Sequence, residues 1–260
     1  MIDGNNDYLK IDKIKIFYKK YDNSSSDIIL VFLHGWGGDS SSWDFNIKEL
    51  KNYFTCIVLD FPGFGISDRP NKIWNVEDYT DFLQKFVEEL NIKKFILVGK
   101  SFGGRVATKY ASKYPEKLTN LILVSAAGIE MPSLLVKVKI FIAKIGKSFV
   151  KSFFPRYEMG IKGLFYNIFA IKEDESNYKW EVKKLVTNDN LSENAASIAT
   201  PTLIVWGNED KVLPINTAKK LNALIKHSVL EIIPGGHNAH KDYYNDFNRV
   251  MLKYLGIEHL

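Results

Sequence analysis

Gly99-Lys100-Ser101-Phe102-Gly103 sets one serine between two glycines, directly behind the apolar run Phe95-Ile96-Leu97-Val98 and ahead of a helix-like stretch, residues 105–114. A strand, a sharp turn carrying a serine and then a helix is the context that holds a hydroxyl clear of a sheet as a nucleophile. Glycine suits the flanks because such a turn brings strand and helix backbones close together. A serine hydroxyl is a weak nucleophile near neutral pH. It needs a base that takes its proton during attack and returns it to the leaving group. His237, in Pro234-Gly235-Gly236-His237, offers an imidazole, and Asp210, in Trp206-Gly207-Asn208-Glu209-Asp210, offers a carboxylate. A carboxylate on the second ring nitrogen fixes the tautomer and stabilises the imidazolium. Ser101, Asp210 and His237 are therefore the expected catalytic set. The tetrahedral intermediate also needs donors for its oxyanion. The glycine-rich stretch His34-Gly35-Trp36-Gly37-Gly38 follows another apolar run, residues 28–33. The expected donors are the backbone N–H of Trp36, with Gly35 or Gly37 as alternatives, and the N–H of Phe102.

Several neighbours compete for these roles. His240 lies close to His237, but it is expected to open the last helix, whereas His237 follows two glycines at a strand end. Glu209 adjoins Asp210 and should point elsewhere. Asp60, ahead of Phe61-Pro62-Gly63, is another carboxylate that competes with Asp210. His34 is expected to shape its loop through hydrogen bonds. Gly99-Lys100-Ser101 also ends a partial phosphate-loop pattern, but Lys94 stands where that pattern needs glycine, and residues 95–98 are apolar where it needs a flexible loop. Gly35-Trp36-Gly37-Gly38 lacks the G-x-G-x-x-G spacing of a dinucleotide site. No cofactor is expected.

The elements that must position these residues follow from hydropathy. Residues 8–11 and 13–18 alternate, as in a half-exposed antiparallel hairpin. Continuous apolar runs then recur at 28–33, 56–59, 95–98, 121–124, 203–206 and 229–233, the pattern of parallel strands covered on both faces. Helical patterns at 43–53, 76–90, 105–113, 216–225 and 243–255 separate them. Strands alternating with helices predict an α/β fold with a mostly parallel central sheet and helices on both faces. In such a sheet ligands sit beyond the carboxyl ends of the strands, where Ser101, Asp210 and His237 all fall. The alternation stops between 128 and 199, a length too great for a simple connection. This segment is expected to be an inserted helical cap, which divides the chain into a first core part (1–127), the cap (128–199) and a second core part (200–260).

Composition narrows the remaining classes. The chain has 260 residues, is 46% hydrophobic and carries one cysteine, so neither an intramolecular disulfide nor a multi-cysteine zinc site can form, and no metal is expected. Cys56 lies in a strand-like run and reads as a buried structural thiol. There is no apolar signal core at the start and no run long enough to span a bilayer, so the expected location is cytoplasmic. The net charge of +5 is concentrated between 129 and 160, where six basic residues face only Glu130 and Glu158. Within this stretch, residues 134–151 have the pattern of a basic amphipathic helix. The favoured reading is a pocket-lining apolar face with solvated lysines; peripheral contact with an anionic membrane is the alternative. No nucleic-acid partner is expected, and nothing in the spacing sets an oligomeric state.

These pieces together resemble the capped serine hydrolases of the α/β-hydrolase superfamily. The resemblance rests on His34-Gly35-Trp36-Gly37-Gly38, Asp60-Phe61-Pro62-Gly63-Phe64-Gly65-Ile66-Ser67, the Ser101 turn, residues 201–210 and Gly236-His237, in the chain order Ser, Asp, His. It covers nearly the whole chain outside the cap. It implies the α/β-hydrolase fold and acyl transfer through Ser101, with a small-molecule ester or acyl substrate that has an apolar acyl part. Serine at the turn departs from the dehalogenase and epoxide hydrolase branches, which use aspartate there. Alternatives on the same residues are C–C bond hydrolysis, perhydrolysis, or a slow-turnover ligand-binding or receptor module. Where the C–C branch carries an aromatic or small residue after the histidine, this chain has Asn238.

Overall fold

The structure is a computed structural model and describes residues 4–129, 182 and 189–257. The chain divides into two compact units, Met1–Glu130 with Leu185–Leu260, and Met131–Lys184. Most of the segment expected to form a cap, including the basic stretch 134–151, lies outside the described residues.

In chain order the described elements are β1 (Asn5–Ile11), β2 (Ile14–Tyr21), β3 (Ile29–Leu33), α1 (Asp44–Leu50), β4 (Thr55–Leu59), α2 (Val76–Glu89), β5 (Phe95–Lys100), α3 (Phe102–Lys113), β6 (Leu118–Val124), α4 (Ser192–Ser197), β7 (Thr202–Gly207), α5 (Ile215–Leu224), β8 (Ser228–Ile233), α6 (Ala239–Asp242) and α7 (Tyr244–Tyr254). The strands form one eight-stranded sheet in the order β1-β2-β4-β3-β5-β6-β7-β8. β1 with β2 and β2 with β4 are antiparallel, and every other pairing is parallel. This is the mostly parallel α/β sheet that the hydropathy predicts. The opening hairpin turns through Asp12 (φ 48°) and Lys13 (φ 72°). Positive φ at both central residues gives the turn whose twist matches that of the strands.

Alternation along the buried strands assigns side chains to two layers. Leu30 and Phe32, Cys56 and Val58, Ile96 and Val98, Ile122 and Val124, and Leu203 and Val205 join one cluster with Trp43, Ile47 and Leu50 of the α1 region and Phe247, Met251 and Leu252 of α7. The intervening residues, such as Val31, Leu97, Leu123 and Ile204, are equally buried toward the opposite face, where α3 packs on β5 and α2 and α4 flank α3. Both faces are covered, so these strands are apolar without interruption. β8 departs from that expectation. Among the described residues it pairs only with β7, and as the sheet edge it leaves Val229 48% and Ile232 41% exposed. Among the described residues no helix is long and apolar enough to cross a membrane.

The order of pairing reverses at β3, whose neighbours are β4 on one side and β5 on the other. The carboxyl ends of β3 and β5 lie side by side, with Leu33 opposite Gly99. Such a switch point opens a crevice beyond the strand ends.

Candidate active site

Ser101 is the single residue between β5 and α3, with φ 53° and ψ −108°. A non-glycine residue in this region is strained and persists only when its surroundings hold it. Here the Ser101 N–H donates to Val124 O (2.9 Å), and its carbonyl accepts from Arg105 N–H and Ala127 N–H, both at 3.0 Å. The flanking glycines are required by proximity. A Cβ on Gly99 would come within 2.5 Å of Gly103 O, and one on Gly103 within 2.6 Å of Leu33 O.

The hydroxyl of Ser101 lies 3.0 Å from Nε2 of His237, and Nδ1 of His237 lies 2.8 Å from Oδ2 of Asp210. The sheet thus brings together three residues from the ends of β5, β7 and β8. Burial would raise the Asp210 carboxyl, but hydrogen bonds from His237 and from the Leu213 N–H outweigh it and hold the group below its ordinary value. Its other oxygen, Oδ1, accepts from the N–H of Val212 (2.9 Å) and Leu213 (2.8 Å). An ionised Asp210 only accepts, so in the neutral imidazole Nδ1 donates to it and Nε2 is left to accept the Ser101 proton.

The loop after β3 carries the expected oxyanion donors. Gly38 N–H donates to Gly35 O (3.1 Å), with Gly37 at φ 70°, so Trp36 and Gly37 form the centre of a tight turn. The N–H of the second residue of such a turn, here Trp36, has no partner within it. The N–H of Phe102 is the first of α3 and has no carbonyl to meet inside the helix. His34 is buried, and that burial lowers its pKa. Its Nε2 accepts from Phe61 N–H (3.0 Å), so Nδ1 carries the proton and donates to Gly35 O (2.8 Å). His34 therefore ties the loop to the segment after β4, as expected. Asp60 is also a tether, accepting from Ser40 N–H (2.7 Å) and Ile66 N–H (2.9 Å).

Of the competitors, Glu209 is exposed while Asp210 is buried. His240 does not open the last helix. It lies in the short α6, 2% exposed, with its ring 4.6 Å from that of Trp43. Two residues near the site escaped the sequence reading. Ser125, buried directly after β6 with φ 41°, neighbours the Asp210 side chain and helps to hold its carboxyl low. Its signal was its place, since it follows a strand as Ser101, Asp210 and His237 do. Lys100 was read only as part of a failed phosphate-loop pattern, yet its side chain packs against Gly35 beside Ser101. Among the described residues no group of three or more His, Cys, Asp or Glu side chains is arranged to hold a metal ion.

Comparison with known proteins agrees with this architecture. The chain is 28% identical over 251 residues to 2-hydroxy-6-oxo-2,4-heptadienoate hydrolase of Pseudomonas putida, covering 88% of this chain and 89% of that one. It is 29% identical over 234 residues to the pimeloyl-[acyl-carrier protein] methyl ester esterase of Wigglesworthia glossinidia brevipalpis, covering 83% and 88%. Among solved structures, MGS-M2, an alpha/beta hydrolase enzyme from a deep-sea metagenome library, superposes with a TM-score of 0.76 at 19% identity, covering 98% of each chain. The sequence profile of the alpha/beta hydrolase fold matches residues 28–154 and 146–243, most of the chain, and with the sheet and its switch point this places the protein in the alpha/beta hydrolase family.

Proposed function

We propose that this protein is a serine hydrolase that cleaves a carboxylic ester through an acyl-enzyme. Ser101 Oγ attacks the carbonyl carbon as His237 Nε2 takes its proton. The backbone N–H groups of Trp36 and Phe102 stabilise the oxyanion. His237 returns the proton to the leaving alcohol, and water then releases the acyl group by the same steps in reverse order of partners. The observation that carries this reading is the chain of hydrogen bonds from Ser101 through His237 to Asp210, at 3.0 and 2.8 Å. An apolar acyl group fits the aromatic surroundings of the loop: the Trp36 ring lies 5.1 Å from Phe64 and 5.4 Å from Phe102. Hydrolysis of p-nitrophenyl esters of graded chain length is expected for the native protein, with a fluorophosphonate labelling Ser101. Ser101→Ala should lose at least about 1,000-fold in kcat and all labelling. Undiminished activity in Ser101→Ala would refute the mechanism.

The similarity to a heptadienoate hydrolase favours a second reading, C–C bond cleavage by the same three residues. Asn238, directly after His237, departs from that branch, and the equal similarity to a methyl ester esterase gives it no advantage. A vinylogous 1,5-diketone offered beside the ester panel separates the two by their kcat/KM.

A further inference from the structure

We infer that the ammonium of Lys100, which lies against Gly35 in the loop after β3, is a supporting charge that stabilises the anionic transition state formed at Ser101. The inference rests on the serine hydrolase reading above. Lys100 is the last residue of β5 and directly precedes the nucleophile. A Cβ built on Gly35 would meet Lys100 Cδ at 2.9 Å, Lys100 Nζ at 3.1 Å and Ser101 Cβ at 3.4 Å. The ammonium and the nucleophile therefore flank one point beside Gly35, the residue before the Trp36 amide. The charge lies against the loop whose amides face the developing oxyanion.

The groups facing this ammonium come from three other elements. Asp210, after β7, and Asp242, in α6, attract it. His34, after β3, and His240, in α6, feel its charge, which lowers both. His240 feels His237 as well, so the three share one polar neighbourhood. No hydrogen bond or ion pair of the ammonium itself occurs among the described residues, and Lys100 is half-buried. Its charge is thus not tied up in a close pair, and it acts through a medium less polar than water. The field opposes the imidazolium of His237 and favours the oxyanion. The close approach of the ammonium is to Gly35, which adjoins the Trp36 amide, so stabilisation of the oxyanion is the effect that the rate is expected to report. Burial brings Lys100 down to about 8 against the pull of the two carboxylates. The supporting charge is present at pH 7 and is lost as pH rises through that value.

The test is the pH dependence of ester hydrolysis between pH 6 and 10, with the Ser101→Ala rate subtracted as blank. In the native protein kcat should fall on an alkaline limb near pH 8. Lys100→Met and Lys100→Gln should lower kcat at pH 7 roughly tenfold, with KM nearly unchanged and no alkaline limb. Lys100→Arg, which keeps its charge across the range, should also lack the limb while retaining more activity than the neutral variants. If the arginine is too large for its contact with Gly35, a 13C titration of the Lys100 Cε in the native protein, compared with the kinetic limb, takes its place. A native profile that is flat to pH 10, or a limb that persists in Lys100→Met, overturns the inference while leaving the Ser101 mechanism intact. So does a rise in KM at constant kcat, confined to esters that bear a carboxylate, which would make Lys100 a substrate anchor. Activity that survives in Ser101→Ala would instead refute the hydrolase reading itself.

Discussion

Both oxygens of Asp210 are engaged: one takes two backbone N–H groups and the other takes the imidazole of His237. The neighbouring Ser125 side chain also favours the ionised form of Asp210. Replacing Asp210 by Asn keeps the size and the two backbone bonds but turns one acceptor into a donor. The amide then favours the wrong imidazole tautomer, and kcat is expected to fall on the order of 10,000-fold with little change in KM. The same substitution tests the electrostatics. A carboxyl held below its ordinary value when folded contributes stability above its unfolded pKa and loses it as pH falls through the folded one. Urea denaturation should therefore show the native protein's advantage over Asp210→Asn at pH 6 shrinking toward pH 3. A constant difference across that range would mean that Asp210 gains nothing from its partners in the fold.

At the scale of elements, the site depends on close backbone crossings more than on helix stability. α3 passes β3 so closely that a methyl at Gly103 would collide with the carbonyls of Leu33 and His34, at 2.6 and 2.7 Å. Gly103→Ala must move the helix start that presents Phe102 and holds Ser101, and about 1–3 kcal/mol of destabilisation is expected. α2 offers the contrast. Asn75 and Asp78 close a capping box at its N-terminus, with bonds of 2.9 and 3.0 Å. Asn75→Ala should remove about 1 kcal/mol and lower Tm by roughly 2–4 °C without changing kcat. Gly103→Ala should lower Tm and kcat together, and equal kinetics in the two variants would contradict this division. The helices α1, α2, α3, α5 and α7 were legible because their apolar positions recur every three or four residues, whereas the short α4 and α6 were not read. The start of β6 was not: Thr119 and Asn120 break the apolar run, although the strand begins at Leu118 and passes an irregularity in its pairing with β5. The exposure of β8 was hidden for a related reason, since an edge strand and a central strand can have the same apolar letters and differ only in what covers them.

For the whole molecule, the legible part of the site was the part that lies in short motifs at strand ends: Ser101, Asp210, His237 and the Gly35–Gly38 loop could each be placed from a few neighbouring letters. What stayed hidden joins residues distant in sequence. The closeness of Ser125 to Asp210 and the packing of Lys100 on Gly35 exist only because the pairing order sets these strand ends side by side. The same long-range assembly protects Cys56. Its strand, β4, lies between β2 and β3, and its side chain faces the cluster under α1 and α7 at 0% exposure. Burial pushes the thiol well above its ordinary range, so the native protein holds almost no thiolate there. No local loop movement uncovers a residue covered by neighbouring strands and by helices from both ends of the chain. The sole cysteine is therefore a reporter of global opening. Its reaction with 5,5′-dithiobis(2-nitrobenzoate) should be negligible in native buffer, and its rate across a urea series should follow the same free energy as the loss of far-UV circular dichroism. Rapid reaction of one equivalent with intact circular dichroism would show that β4 opens apart from the rest of the sheet, contrary to its central position.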